Sequence, residues 1–420
     1  MSRPAGFAAY VAVTAAYWVF MLTDGALRML VLLHFNSLGF SPVQLAYLFV
    51  LYEVAGVVTN LSAGWIAARF GLTSTLYVGL GVQVLALVAL AQLDPAWSVT
   101  ASVVFVMAVQ GLSGVAKDLA KMSSKSAVKL LAPAGDGLFR WVALLTGSKN
   151  AVKGAGFLLG AGALALFGFV PSVLGMAVLL GVILITIVLR MPPGLPAGRK
   201  DAKFKEVISK NPRVNWLSLA RVFLFGARDV WFVVGIPIYF YSVLSDGTPD
   251  GQRAAFFMIG TFMALWVILY GAVQARAPAI LRSAGRSEAD LAASARFWVG
   301  TLFFVPAGLA LAALVAGGPS PWLTVSVVVG LLIFGVLFAL NSSLHSYLIL
   351  AFTSAERVTM DVGFYYMANA AGRLIGTVLS GLTYQIGGLP LCLGTAALMI
   401  ALSWLSIGRI RGAGAPSTPA

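Results

Sequence analysis

Cysteine and histidine are nearly missing from this sequence: 420 residues hold one cysteine, Cys392, and two histidines, His34 and His345. A single cysteine excludes a disulfide framework within one chain and a thiolate metal cluster. With so few imidazoles as well, neither metal chemistry nor a resident cofactor is expected. Charge is also scarce. Only 10% of residues are charged, and acids are the rarer sign, 14 Asp and Glu against 28 Lys and Arg. Long polar stretches are missing too. The most polar segments are RMPPGLPAGRKDAKFKEVISKNPR, from Arg190 to Arg213, and the tail GAGAPSTPA, both too short for the soluble output domain of a sensor.

Apolar sequence fills the rest. The chain is 60% hydrophobic with 45 glycines and a mean hydropathy of +0.93, which excludes an ordinary soluble domain. The expected class is an all-α polytopic membrane protein. A formal charge of +14 would suggest nucleic acid in a soluble protein. Here most Lys and Arg fall in short loops on alternate sides of apolar runs, so the excess reads as topology plus cavity charge, with no nucleic acid as partner. Runs of about 20 residues, enough for ~30 Å of hydrocarbon, give twelve spans. They cover roughly 8–35, 42–67, 73–93, 97–121, 139–168 and 171–190, then 214–243, 253–275, 293–316, 322–352, 360–386 and 390–408.

Four segments follow: a six-helix bundle over 1–190, a basic cytoplasmic linker over 191–213, a second bundle over 214–408 and a tail over 409–420. The start MSRPAGFAAYVAVTAAYWVF lacks a small-residue cleavage site before a polar region, so it reads as a retained first span. With both termini cytoplasmic, Arg69, Lys129, the linker, Arg276, Arg282, Arg286, Arg357, Arg409 and Arg411 fall on one side. The opposite loops are nearly free of Lys and Arg. The expected location is the cell (inner) membrane.

Six spans, a basic linker and six more resemble the arrangement of the major facilitator superfamily, whose halves are related by a parallel repeat. Internal repetition agrees: Gly64-Trp-Ile-Ala-Ala68-Arg69 after the second span is echoed by Gly271-Ala-Val-Gln-Ala275-Arg276 after the eighth. The first copy, continuing Phe70-Gly71, resembles that superfamily's loop motif, except that Ala68 stands where the motif has Asp.

Charges inside the spans are the candidates for function. The most conspicuous stretch runs from Ser113 to Gly156, where Lys117, Lys121, Lys125 and Lys129 recur every fourth residue and Lys149 and Lys153 repeat the spacing on the next helix. Each buried charge costs roughly 2.5–3.5 kcal/mol on insertion scales, so such residues face a watery cavity or an opposite charge. Lys125 and Lys129 read as residues snorkelling to the cytoplasm, and Arg221 is close enough to the interface to do the same. Asp24 and Arg28, four apart in span one, are spaced to neutralise each other. Glu53 in span two, Lys117, Asp118 and Lys121 in span four, Lys149 and Lys153 in span five, Arg228 and Asp229 in span seven and Arg373 in span eleven complete the set. Adjacent Arg228 and Asp229 point about 100° apart, so Asp229 is expected to pair with a neighbouring helix.

Asn150, Asn341, His345 and Asn369 are plausible polar lining, which helix-to-helix hydrogen bonding explains equally well. Gly154, Gly156, Gly160 and Gly162 are expected to permit close helix packing. The aromatics of span seven, Phe223, Phe225, Trp231 and Phe232, are expected to face lipid or packing surface.

Eight intramembrane bases, Arg28, Lys117, Lys121, Lys149, Lys153, Arg221, Arg228 and Arg373, stand against four acids, Asp24, Glu53, Asp118 and Asp229. The expected substrate is a small multivalent anion, a phosphate ester, arsenate ester or polycarboxylate, bound by Arg forks and mobile Lys charges. Outward movement of each negative charge across an inside-negative membrane gains ~2.3 kcal/mol per 100 mV, so export needs no coupled ion. The four acids remain candidates for coupling or for cavity charge pairs. A membrane-embedded enzyme is not expected, because no nucleophile with its base is found at membrane depth.

LTDGALRMLVLLHF, SGVAKDLAKMSSKSAVKLL, LTGSKNAVKGAGFLLG and ARVFLFGARDVWFVVG, in spans one, four, five and seven, resemble the ArsJ organoarsenical efflux permeases, and the similarity runs through nearly all of the membrane region. The resemblance implies export of 1-arseno-3-phosphoglycerate and arsenate resistance. The ester would be made in the cytoplasm by a functional partner, a glyceraldehyde-3-phosphate dehydrogenase. Basic clusters in both halves suit the two anionic ends of such an ester, one end assigned to Lys117, Lys149 and Lys153 and the other to Arg228 and Arg373, in either order. A transporter or exchanger of phosphorylated or carboxylate metabolites would share the same positive cavity. A monomer is the default expectation.

Overall fold

A computed structural model describes residues 7–131, 136–193, 209–282, 286–353 and 358–410. All regular structure among them is helical. In chain order come α1 (Phe7–Ser37), α2 (Pro42–Tyr47), α3 (Val50–Phe70), α4 (Leu72–Leu90), α5 (Val99–Leu131), α6 (Asp136–Phe167), α7 (Phe169–Arg190) and α8 (Pro212–Val230). A π-helical segment, Trp231–Gly235, leads into α9 (Ile236–Leu244). After it come α10 (Pro249–Ile280), α11 (Glu288–Ala316), α12 (Pro321–Phe352) and α13 (Val358–Gly408).

Among the described residues, eleven helices are long and apolar enough to cross a membrane. The last of them contains two spans. An unbroken helix of 51 residues would be roughly 75 Å long, far more than the ~30 Å of hydrocarbon it has to cross. At Gly387 (φ −139°, ψ 19°) and Gly388 (φ 60°, ψ −155°) the backbone leaves helical geometry, and Gly388 adopts a conformation closed to most side chains. Divided there, the helices give the twelve spans that the apolar runs lead one to expect.

Helix ends follow local chemistry. Ser41 starts α2 with a reciprocal box: its Oγ accepts the Gln44 N–H at 3.3 Å and its own N–H donates to Gln44 Oε1 at 2.8 Å, with Pro42 next. Asn211 caps α8 by accepting the Arg213 N–H at 2.9 Å. Between α9 and α10, Asp246 accepts from the Thr248 N–H and Oγ1 at 2.9 and 2.7 Å, and these bonds hold its carboxyl below the usual carboxylate range.

The lysine-rich hairpin departs from expectation. Span four was expected to end near residue 121 and span five to begin near 139, but α5 continues to Leu131 and α6 starts at Asp136. No glycine or proline interrupts the sequence between Gly114 and Pro133, so nothing stops the helix at the end of its apolar stretch. The side chains of Lys125 and Lys129, linker residues 194–208, Arg357 and Arg411 lie outside the described residues.

Contacts sort the chain into two compact units, Met1–Lys205 with Phe240–Gly271, and Glu206–Tyr239 with Ala272–Ala420. In the first unit α1 lies along α6. A Cβ at Gly156 would strike the Leu22 carbonyl, and one at Gly160 would strike the Ala26 backbone, so only glycine allows the approach. Gly154 similarly faces the Ala264 carbonyl of α10. In the second unit α8 lies along α13 in the same manner, with Gly372 against the Val222 backbone and Gly376 against the Gly226 carbonyl.

The π-helical segment is supported from α13. Ser380 Oγ accepts from the N–H groups of Val234 and Gly235 at 3.1 and 3.2 Å, and Cys392 Sγ–H donates to the Val230 carbonyl at 3.0 Å. The lone cysteine is therefore a buried structural donor. Trp231 is fully buried and Phe225 and Phe232 nearly so, so of the two surfaces expected for these aromatics, lipid or packing, these three take packing.

Gly372→Val should destabilise the second unit by about 1–3 kcal/mol, because the obstructing atoms are backbone and cannot turn aside. Thermal melting in detergent checks this, with Gly175→Ala as control. A Cβ at Gly175 meets open space, so that variant should melt unchanged.

Candidate functional site

In the first unit, α1 carries the organising charges. Asp24 Oδ2 accepts from Lys153 Nζ of α6 at 3.0 Å, and Asp24 Oδ1 accepts from the Tyr52 hydroxyl of α3 at 2.5 Å. One turn on, Arg28 donates to Glu53 Oε1 of α3 at 3.3 Å and lies over the Phe49 and Tyr52 rings. Asp24 and Arg28 therefore do not neutralise each other, contrary to their spacing. Each turns to a different helix, Asp24 to Lys153 of α6 and Arg28 to Glu53 of α3, whose side chains reach across to supply the partners. Lys117 of α5 sits 3.9 Å from the centre of the Tyr52 ring, so one aromatic side chain touches three of the charged groups.

Directly after Lys117 on α5, Asp118 accepts from Lys121 Nζ and from the Thr59 hydroxyl, both at 2.5 Å, and Lys121 also donates to Asn60 Oδ1 at 2.8 Å. Asp118 is completely buried. Asn150 of α6 is buried and Lys149 half-buried, one turn before Lys153. Five bases and three acids thus lie along four helices of this unit.

In the second unit, Asp229 of α8 is bonded twice. Arg228 folds back onto its Oδ1, with Nη2 at 2.5 Å and Nε at 2.6 Å, and Arg373 Nε of α13 donates to its Oδ2 at 3.3 Å. Pairing across to a neighbouring helix was expected for Asp229. The bond from Arg228 was not: the Cα directions diverge, but the guanidinium arm is long enough to return.

Arg221 does not snorkel. It is 5% exposed, and its guanidinium is held by Asn369 Oδ1 at 2.9 Å, the Ser342 carbonyl at 3.2 Å and Ser342 Oγ at 3.3 Å. It also packs over Phe225 and near Tyr365. All of these acceptors are neutral, and no carboxylate pairs with Arg221 among the described residues.

His345 of α12 is fully buried, and neither ring nitrogen has a hydrogen-bond partner. Asn341, one turn earlier, donates to the Leu337 carbonyl of its own helix at 3.0 Å and leaves Oδ1 unpartnered. Sequence reasoning missed Tyr52, Thr59, Asn60, Ser342 and the buried Asp361. Tyr52 is next to Glu53, and a phenol beside an intramembrane acid was the available signal. The others look like any small polar residue in a span.

Residues 13–377 match the Major Facilitator Superfamily. The chain belongs to that superfamily. Its backbone is similar to a bacterial homologue of the iron transporter ferroportin in the inward-facing state, with TM-score 0.68 and 13% identity over 96% of this chain and 98% of the other. It is also similar to a POT family transporter in complex with 5-aminolevulinic acid, with TM-score 0.75 and 14% identity over 97% and 96%. The nucleoside transporter NupG gives TM-score 0.68 and 15% identity over 97% and 100%. At such identities the likeness shows the fold. No curated protein sequence matches the chain. The protein is a multi-pass membrane transporter of this superfamily and not an enzyme. Among the described residues no group of three or more His, Cys, Asp or Glu is placed to hold a metal ion.

Removing one member of a buried ion pair costs more than removing both, because it strands a charge away from water. Arg28 and Glu53 have side chains 10% and 1% exposed, so Glu53→Met should cost about 3–5 kcal/mol, read as a fall in melting temperature in detergent. Adding Arg28→Met to it should restore most of the loss.

Proposed function

We propose that this transporter exports an organic anion, 1-arseno-3-phosphoglycerate, from the cytoplasm across the inner membrane by alternating access of two six-helix halves, residues 1–190 and 214–408, and so confers arsenate resistance. Both termini are cytoplasmic in this reading. The observation that carries the anionic substrate is Arg221, a buried guanidinium held only by neutral acceptors, in a protein whose buried charge is in positive excess in each unit. Such a charge is stable in a membrane when a passing anion or water compensates it. The particular ester rests on the resemblance of spans one, four, five and seven to the organoarsenical permeases. Its two anionic ends offer one group to the bases of each unit. A glyceraldehyde-3-phosphate dehydrogenase supplies the ester as functional partner, and the transporter works as a monomer.

Uniport fits the pairing of the acids. Asp24, Asp118 and Asp229 each bond a base, and Glu53 bonds Arg28, so each of these carboxylates has a basic partner within the spans. Outward movement of a dianion is already favoured by the membrane potential.

Everted membrane vesicles turn export into accumulation. Labelled arsenate should accumulate only with glyceraldehyde-3-phosphate, nicotinamide cofactor and the dehydrogenase present; nigericin, which removes the pH gradient and keeps the potential, should leave uptake in place, and valinomycin with potassium, which removes the potential, should lower it. Exchange of phosphoglycerate without uptake of the ester would move the protein to the metabolite-transporter reading. Arg221→Met and Lys149→Met should each lower uptake by about 10- to 100-fold at normal membrane expression, the range that lost charge-assisted hydrogen bonds give. Full uptake in both would sink the assignment of these bases to substrate.

A further inference from the structure

A groove of about 680 Å³ runs along the outer face of the second unit between α11 and the last part of α13, lined by Arg296, Phe297, Gly300, Thr301, Phe304 and Trp404 among others. Phe297 and Phe304 are 66% and 71% exposed. In a membrane protein such rings face acyl chains. The groove holds one charge, Arg296, whose guanidinium lies 4.4 Å from the centre of the Trp404 ring. The arginines deeper in the spans, Arg28, Arg221, Arg228 and Arg373, are each held by a carboxylate or by hydrogen bonds to neighbouring helices. Arg296 has only this ring, and no carboxylate pairs with it among the described residues.

Two glycines make the room. A Cβ at Gly300 would come within 3.2 Å of Trp404 Nε1, and one at Gly408 within 3.3 Å of the Arg296 guanidinium carbon. Larger residues would push the ring and the guanidinium out of the groove. Arg296 stands roughly 12 Å along α11 from its first residue, and Trp404 roughly 6 Å from the end of α13, about the depth at which the hydrocarbon meets the headgroups. Exposed Arg286 and Arg409 lie at the same ends of these two helices; of the two acids in the first turn of α11, Glu288 pairs with Arg213 at 2.8 Å and Asp290 closes the Ser287 cap.

We propose that this groove is a binding site for an anionic phospholipid of the surrounding membrane. The headgroup phosphate takes the Arg296 fork, which matches phosphate oxygens in pairs, while the Trp404 ring backs the guanidinium and leaves its edge free to bond. One acyl chain lies over Gly300 and Thr301 between the Phe297 and Phe304 rings. A zwitterionic lipid brings its own ammonium and gains less from a lone arginine. Basic pockets between spanning helices are the physical pattern for headgroup recognition. The inference rests on the groove alone and is independent of the transported substrate.

The test is quenching of tryptophan fluorescence in vesicles of dioleoylphosphatidylcholine carrying a minor fraction of brominated lipid. The Trp404 contribution is taken as the difference between the protein and Trp404→Phe. Brominated phosphatidylglycerol should quench it with roughly fivefold preference over brominated phosphatidylcholine, the factor one basic residue gives at an anionic surface. Arg296→Gln should abolish the preference, and Arg296→Lys, which keeps the charge but not the fork, should retain part of it and shows that loss in the first variant is not misfolding. Equal quenching by the two lipids, a preference that survives Arg296→Gln, or release of the lipid by inorganic phosphate alone would each overturn the proposal.

Discussion

Helices α1 and α6 meet backbone to backbone, as do α8 and α13, and that closeness sets a carboxylate of one helix against a base of the other. Asp24 faces Lys153 in the first unit, and Asp229 faces Arg373 in the second. Glycines stand beside each pair: Gly156 and Gly160 follow Lys153, while Gly372 and Gly376 flank Arg373. The acid is on the first span of its half and the base on the fifth in both cases. A charge taken from water needs a partner within hydrogen-bond reach, and a helix kept farther away by an alanine or valine would not supply it. Much of the arrangement of both clusters follows from this closeness, including the turning of Arg28 towards α3 once Lys153 has taken Asp24.

The buried charge does not cancel. In the first unit five bases stand with three acids, and in the second Arg221, Arg228 and Arg373 stand with Asp229, with Asp361 buried near the start of α13. The excess is dispersed by means other than ion pairs. Tyr52 offers a ring face to Lys117 and Arg28, Phe225 does so for Arg221 and Arg228, and amides and hydroxyls take up the remaining N–H groups. Neutral acceptors of this kind solvate a cation without discharging it. Such surroundings repel cations and attract anions, and they keep the arginine forks oriented before any ligand arrives.

The twelve spans and the identity of the charged side chains were legible in the sequence because membrane insertion imposes a strong constraint on composition. Length and hydropathy also placed the break between spans eleven and twelve, where α13 turns at Gly387 and Gly388. Partner choice was not legible. Spacing of four suggested an Asp24 and Arg28 pair, but which residue a side chain reaches depends on which helices pack on either side of it. Arg228 misled for a related reason: helical direction fixes where Cα points, and a long side chain can reverse it. The continuation of α5 to Leu131 shows a further limit, since hydropathy marks where a helix leaves lipid and not where it ends.

The widened turn at Trp231–Gly235 interrupts span seven without breaking its chain of hydrogen bonds, because Ser380 and Cys392 serve the groups that the altered pattern leaves over. A π-type turn takes in about one residue more than an α-turn, so side chains beyond it are rotated by roughly 100° from where a regular helix would carry them. Before the turn, Arg221 and Asp229 address α12 and α13. After it, Tyr239 shares a 2.9 Å hydrogen bond with Thr324 of α12. Span seven is thus continuous as a rod but out of phase with itself, and a helical wheel carried on from α8 would misplace the residues of α9 beyond the turn.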